Sequence, residues 1–263
     1  MEPTVTFIGA GGVAWSLAQA LSRFLKTGQV YSRDIANARR LTDIVGGEPV
    51  DTPEQITPGR QLYIVALADH AAADVIARLT PSPQSVWALT SGTLPMQMLA
   101  GLSDNFGVFY PLQTFSRGLT VDYSDVPVFV EGSTPFAKDF LLQLAGKITS
   151  RASEADASRR KKLHIAGVLT CNFVNHLWDT ADALLQKEGL GIDVVRPLIE
   201  QSLAKIATIT PHDAQTGPAR RADLAVMRSH IDALPDDDLR QLYHYMSNRI
   251  LKSYYPENES YRL

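Results

Sequence analysis

Val5-Thr6-Phe7-Ile8-Gly9-Ala10-Gly11-Gly12-Val13-Ala14 brings together a buried-strand signal, a glycine-rich turn and a helix start. The apolar run ending at Ile8 has the length of a core strand, and Leu17, Leu21, Phe24 and Leu25 then recur at helical intervals. Gly9-x-Gly11-x-x-Ala14 thus falls where strand gives way to helix, the context that a dinucleotide-binding fingerprint requires. Gly9 permits the tight turn, Gly11 lets the backbone approach a pyrophosphate, and Ala14 is small enough for close helix-on-strand packing. Ala10, Gly12 and Val13 complete the turn, where free N–H groups and the helix dipole favour phosphate. The plain alternative is a tight strand-to-helix turn in some other doubly wound fold.

The choice of cofactor is read at the end of the second strand, around Gln29-Val30-Tyr31. A carboxylate there would hold the ribose hydroxyl of NAD, but Ser32-Arg33 stands in its place. A hydroxyl beside a guanidinium suits a 2′-phosphate, which arginine grips in bidentate fashion. Arg39 and Arg40 follow on the next helix and add to the field. NADP is the expected cofactor and NAD the lesser choice. Arg33 as an ordinary solvated residue, with Asp34 serving a ribose, stays open.

Outward from this turn, the spacing predicts a helix over 13–25 stopped by Gly28, then one over Ile35–Val45. Strands are expected at 62–67, 85–89 and 126–130, with Pro127 marking an edge or bulge. Asp69 is placed to cap a helix over 70–79. Beyond about Asp156 no strand signal remains. Ala166, Leu169, Phe173, Leu177, Ala181 and Leu184 predict one long amphipathic helix ending near Gly189. Further helices are expected at 194–209, 223–233 and 238–253, with a loop over 210–219. The predicted architecture is α/β: a Rossmann-type doubly wound parallel sheet followed by an all-α C-terminal domain. The boundary is expected near residue 150, with 1–150 binding NAD(P) and 151–263 forming a helical substrate and dimerisation domain.

Of the 263 residues 45% are hydrophobic and 20% charged, with a net charge of −3, so no global basic field draws the chain to nucleic acid or an anionic membrane. Cys171 is the one cysteine, which rules out an intramolecular disulfide and fits a reducing compartment. The first residues lack the basic, apolar and small-residue series of a secretory leader, and no apolar run has membrane-spanning length. A cytoplasmic location is expected. Histidines, Cys171 and carboxylates form no spaced ligand cluster, so no metal is expected. Neither a nucleophile elbow nor a phosphate-loop lysine occurs, which leaves hydrolase and kinase readings without support.

Several segments occur in an order that carries a resemblance: Phe7 to Ala14, Tyr31-Ser32-Arg33, Ala68-Asp69, Ser91-Gly92, and Tyr110-Pro111-Leu112-Gln113-Thr114-Phe115. His164-Ile165-Ala166-Gly167-Val168, Asn172-Phe173-Val174-Asn175-His176 and Thr216-Gly217-Pro218-Ala219-Arg220-Arg221 follow. Over essentially its whole length the chain resembles a bacterial family of Rossmann-like candidate NADP oxidoreductases with a C-terminal domain of unknown function. Its relatives are pyrroline-5-carboxylate reductase and deazaflavin-dependent NADP oxidoreductase. The resemblance implies a homodimer in which helical domains complete each other's sites. One departure stands out: Tyr110-Pro111 replaces an expected His-Pro pair.

Ligands of open α/β sheets lie beyond the carboxyl ends of the strands, where Leu67, Ala68, Thr90, Ser91 and the loop from Pro111 to Ser116 should project. Asp69 reads as a cap rather than a catalyst, while Thr90 and Ser91 either bind the nicotinamide ribose or satisfy strand ends. Gln113 can orient a substrate but supplies no proton at neutral pH. On the long helix Lys161, His164, Asn172, Asn175 and Asp179 fall within one polar stripe, expected to be partly shielded from solvent. His164 is the candidate general acid and Asn172 an orienting residue; a hydrogen-bonded helix seam is the alternative. The run Arg159-Arg160-Lys161-Lys162 reads as a solvated helix start. Arg220 and Arg221 are candidate clamps for a carboxylate or phosphate, or simple partners of Asp213 and Asp223. The expected activity is NADP-dependent oxidoreduction of a small C=N or C=O substrate, with a non-catalytic dinucleotide sensor as the alternative.

Overall fold

In the computed structural model, which describes residues 3–257 and 263, the opening strand β1 (Thr4–Ile8) runs through the glycine turn into α1 (Gly12–Leu21). Then come β2 (Lys26–Tyr31), α2 (Ile35–Val45), β3 (Glu48–Val50), β4 (Leu62–Val65), α3 (Asp69–Ile76), β5 (Val86–Leu89) and β6 (Phe106–Pro111). A long connection leads to β7 (Val128–Gly132), α4 (Pro135–Gly146) and β8 (Ala152–Glu154). The eight strands form one sheet in the order β3-β2-β1-β4-β5-β6-β7-β8. The first six are parallel and β7 pairs antiparallel with β6. Strand order reverses between β1 and β4, the place where such sheets open a ligand crevice.

Both faces of the sheet are covered, which explains strands that are apolar throughout rather than alternating. Val5, Phe7, Leu62 and Ile64 join Leu17 and Ala18 of α1 in one core layer. Ile8, Tyr63, Val65 and Trp87 join Ala72 and Ile76 of α3 in the other. Tyr63 and Trp87, paired across β4 and β5, stack at 4.0 Å between ring centroids, and the Tyr63 hydroxyl donates to the Thr57 carbonyl at 2.7 Å. Each large side chain buried in these layers contributes about 1.5–3 kcal/mol.

Several local expectations change. The first helix ends at Leu21, and Gly28 lies inside β2, because pairing of Lys26 and Thr27 with Thr4 and Val5 draws the chain into the sheet early. Pro127 precedes its strand, its carbonyl accepting from the Leu112 N–H at 2.9 Å, and β7 is an interior strand with β8 on its other side. The expected single helix after Asp156 is α5 (Ala157–Gly167), a π-turn (Val168–Asn172) and α6 (Phe173–Gln186). It ends at Gln186, near the expected Gly189, whose φ of 73° lets the Leu190 N–H reach back to the Leu185 carbonyl at 3.0 Å.

The chain divides into two compact units, one ending at Leu177 and the other beginning at Trp178. This lies later than the change of pattern near residue 150 because α5 belongs with the sheet: its Arg160 is buried and paired with Glu131 of β7. The second unit continues with α7 (Arg196–Ile206), a short α8 (Pro211–Ala214) inside the expected loop, α9 (Leu224–Ala233) and α10 (Asp237–Tyr254). Its small core holds Ala219, Met227 and Leu251. No residue of α6 or α7 is buried, and Leu198 is 68% and Leu203 57% exposed.

Tyr123, in the β6–β7 connection, is buried against Phe115, and its hydroxyl approaches Ser16 of α1 without regular hydrogen-bond geometry. Burial pushes its phenol up to about 12. The unfolded phenol titrates near 10, so this stabilisation is whole below about pH 10 and is lost as pH rises toward 12. Between pH 8 and pH 11, Tyr123→Phe should lose about 1.4 kcal/mol less stability than wild type. Urea midpoints at the two pH values measure the difference, and an equal loss contradicts it. Tyr63 and Tyr110, also raised by burial, leave a residual slope in both proteins.

Candidate functional site

Gly9 turns with φ 120°, and a Cβ there would lie 2.2 Å from the Ala66 carbonyl oxygen, so only glycine fits between β1 and the end of β4. Gly11 precedes α1 without a side-chain cap bond, and a Cβ on it would meet nothing within 4 Å. The first intrahelical bond runs from the Trp15 N–H to the Gly11 carbonyl at 2.8 Å, leaving the N–H groups of Gly12, Val13 and Ala14 without an acceptor among the described residues. By contrast Asp34, Thr134 and Asp156 cap α2, α4 and α5. An open, uncapped helix start of this kind favours an anion. Ala14 is fully buried, as close packing demands.

The start of α3 is uncapped as well. Asp69 lies inside the helix rather than at its cap position, which Ala68 occupies, and its carboxylate accepts from the Thr93 hydroxyl instead. Capping at this position was the expectation, and the one-residue earlier start of the helix removes it.

At the end of β2 the Ser32 N–H donates to the Val50 carbonyl at 3.1 Å. Arg33 is exposed with no partner among the described residues. Asp34 accepts from the Ala36 N–H at 3.0 Å and from Asn37 Nδ2 at 2.8 Å, so both of its oxygens serve the start of α2. Arg39 and Arg40 are exposed farther along that helix.

A second cluster lies at the carboxyl ends of β5 and β6. The Tyr110 hydroxyl meets His164 Nδ1 at 3.2 Å, bringing the substituted position and the candidate acid together. The imidazole rests on Gly92, where an added Cβ would come within 2.8 Å of Nδ1 and 2.9 Å of Cγ. Burial raises the Tyr110 phenol, against a smaller opposing pull from the Arg160 charge, and keeps it protonated at neutral pH. Arg160 is 1% exposed, paired with Glu131, and donates to the Leu94 carbonyl at 3.0 Å. The basic run is therefore not uniformly solvated. Arg160 and His164 lie four residues apart, a spacing that puts them on one face of α5.

Around this cluster Thr90 is buried and donates to the Val65 carbonyl at 3.3 Å. The Ser91 hydroxyl oxygen accepts from the N–H groups of Thr93 and Leu94, both at 3.0 Å. Leu67 is half-buried and Ala68 exposed. Pro111 closes β6 opposite Val128, and Gln113 is exposed with Oε1 accepting from the Thr114 N–H at 2.8 Å. His164 is half-buried, whereas Lys161, Asn172, Asn175 and Asp179 are exposed, so within one chain the polar stripe is shielded at His164 and not at these four. The π-turn widens the helix between His164 and Asn172 and resets its register. In the second unit Arg220 stacks over Tyr254 at 4.3 Å and Arg221 is exposed. The alternative pairs with Asp213 and Asp223 do not form among the described residues: Asp213 accepts from the Thr210 hydroxyl and Asp223 caps α9.

Among the described residues no group of three or more His, Cys, Asp or Glu could hold a metal. No described helix is long and apolar enough to cross a membrane.

The model of a domain of unknown function, DUF2520, matches residues 126–250. No protein with a curated description matches the chain. A candidate NADP oxidoreductase from Bacteroides fragilis is 36% identical, with a TM-score of 0.89 covering 95% of this chain and 98% of that one. An imine reductase from Pseudomonas sp. shares the fold at 15% identity and a TM-score of 0.66, covering 96% and 92% of the two chains. A reductive aminase from Aspergillus terreus, solved with NADPH and ethyl-5-oxohexanoate, does so at 15% identity and 0.59, covering 99% and 90%. The chain thus belongs to the family of the Bacteroides fragilis candidate NADP oxidoreductase, a Rossmann-type fold that here ends in a domain of unknown function.

Proposed function

We propose that the chain is an NADP-dependent oxidoreductase acting on a small C=N or C=O substrate. The observation that carries this reading is the Tyr110–His164 pair, set at the strand ends of the same sheet whose β1–α1 turn leaves three N–H groups open. The NADPH held by the Aspergillus terreus reductive aminase and the substrate class named by the imine reductases agree with it.

In this reading the N–H groups of Gly12, Val13 and Ala14 take the pyrophosphate, with Gly9, Ala10 and Gly11 shaping the turn. Ser32 and Arg33 take the 2′-phosphate. Leu67, Ala68 and Ser91 line the crevice toward the nicotinamide. The bound dinucleotide supplies the hydride. His164 supplies a proton to the substrate nitrogen or oxygen and regains one from solvent water, while the Tyr110 hydroxyl, neutral at physiological pH, hydrogen-bonds Nδ1 and fixes the ring. Pro111, Gln113 and Asn172 orient the substrate; on the second unit, Arg220 and Arg221 are candidate grips for an anionic group.

Residues 1–150 hold the dinucleotide in this scheme, and 151–263 serve substrate and subunit contacts. A second copy of the chain covers the bare faces of α6 and α7, where Leu177, Trp178, Leu198, Leu203 and Ile206 are exposed. The exposed lone Cys171 suits the reducing cytoplasm.

Calorimetric titration should show NADPH bound more tightly than NADH, with the preference lost in Arg33→Ala; binding of neither nucleotide would end this reading. With a panel of cyclic imines, ketones and aldehydes, His164→Gln should lower kcat/KM by about 10²-fold or more while NADPH affinity holds. Gly92→Ala, which pushes the imidazole off Tyr110, should act in the same direction. NADPH binding without turnover of any substrate would recast the chain as a sensor. Light scattering should give a homodimer that Leu198→Glu converts to a monomer; a monomeric wild type contradicts the subunit contact.

A further inference from the structure

The connection between β6 and β7 leaves the sheet after Pro111 and drapes across α1. The Phe115 carbonyl oxygen stands 2.7 Å from where a Cβ on Gly12 would lie, and Tyr123 is buried farther along. Between them Arg117 reaches α2, where its Nη1 donates to Asn37 Oδ1 at 2.9 Å. Asn37 Nδ2 in turn donates to Asp34 Oδ2 at 2.8 Å. Only one orientation of the amide satisfies both neighbours, oxygen toward the guanidinium and nitrogen toward the carboxylate. The relay Asp34–Asn37–Arg117 therefore holds the guanidinium beside the first turn of α2, next to the segment that carries Arg33. One of the five arginine donors is engaged, and the others have no acceptor among the described residues.

Two guanidiniums thus reach the end of β2 from separate parts of the chain, while the Asp34 carboxylate is committed to its helix. That is the position at which this fold meets the adenosine ribose. We propose that Arg117 is a second ligand of the 2′-phosphate, a specificity-determining residue delivered by the β6–β7 connection and positioned by Asn37. This rests on the assignment of NADP as cofactor. Arg33 and Arg117 present forks from two sides of one phosphate, and NADH, lacking that phosphate, gains nothing from either.

The test is calorimetric titration of wild type, Arg117→Ala, Arg117→Lys and Asn37→Ala with NADPH, NADH and adenosine 2′,5′-bisphosphate. Arg117→Ala should weaken NADPH and the bisphosphate by roughly 10- to 100-fold and leave NADH within about twofold. Arg117→Lys, which keeps the charge without the fork, should fall between wild type and Arg117→Ala. Asn37→Ala, which releases the guanidinium, should cause a smaller selective loss. An equal loss for NADPH and NADH would reduce Arg117 to a staple for the loop and overturn the proposal. So would an unchanged NADPH-to-NADH ratio in Arg117→Ala. If Arg33→Ala loses selectivity while Arg117→Ala keeps it, the cofactor assignment stands and only the role of Arg117 falls. A wild type that does not prefer NADPH brings down both.

Discussion

The close approach of Gly9 to the Ala66 carbonyl governs what the rest of the sheet can do. A side chain at this position would collide with backbone, and neither β1 nor β4 can retreat, because each is paired on both sides. The contact lets the chain leave β1 sharply enough for α1 to start above the sheet with its first N–H groups exposed. It also sets the crevice between β1 and β4, where the strand order reverses. The other uncapped helix start on this edge, that of α3, opens beside the same crevice.

A second constraint brings His164 to that edge. Arg160 lies one helical turn before His164 and is buried with its charge matched by Glu131 and its fork anchored on the Leu94 carbonyl. A buried guanidinium without its carboxylate costs several kcal/mol, so the pair holds α5 in one position against β7. From there the imidazole lies over the bare backbone of Gly92 and against the Tyr110 hydroxyl. Tyrosine at 110 is then no vacancy in the chemistry. It is a neutral hydrogen-bonding partner for the histidine one turn beyond Arg160.

Much of this was legible in the residues. Apolar runs bounded by glycine and polar residues located β1, β4 and β5, and the helix over Ile35–Val45 follows its spacing to the residue. Other elements left weaker marks. Gly107 and Pro111 punctuate β6 so that Phe106 to Tyr110 does not read as a strand, and β3 and β8 are too short for any periodicity. Asp69 is a good capping residue by type, but the helix starts at it rather than after it. Arg160 hid inside a run of four basic residues, three of them exposed. The π-turn at Val168–Asn172 has no sequence signal in a 3.6-residue pattern, and it shifts the face on which Asn172 emerges. Arg117 could not be found at all from spacing, since its partner Asn37 lies eighty residues earlier and only the drape of a long connection joins them.

The central claim is that one sheet edge places a dinucleotide against the Tyr110–His164 pair. A crystal structure of the protein soaked with NADPH tests this directly. The pyrophosphate should lie on the N–H groups of Gly12 and Val13, with the reactive face of the nicotinamide turned toward His164 and Tyr110. A dinucleotide seated elsewhere, or one whose nicotinamide points away from that pair, would contradict it.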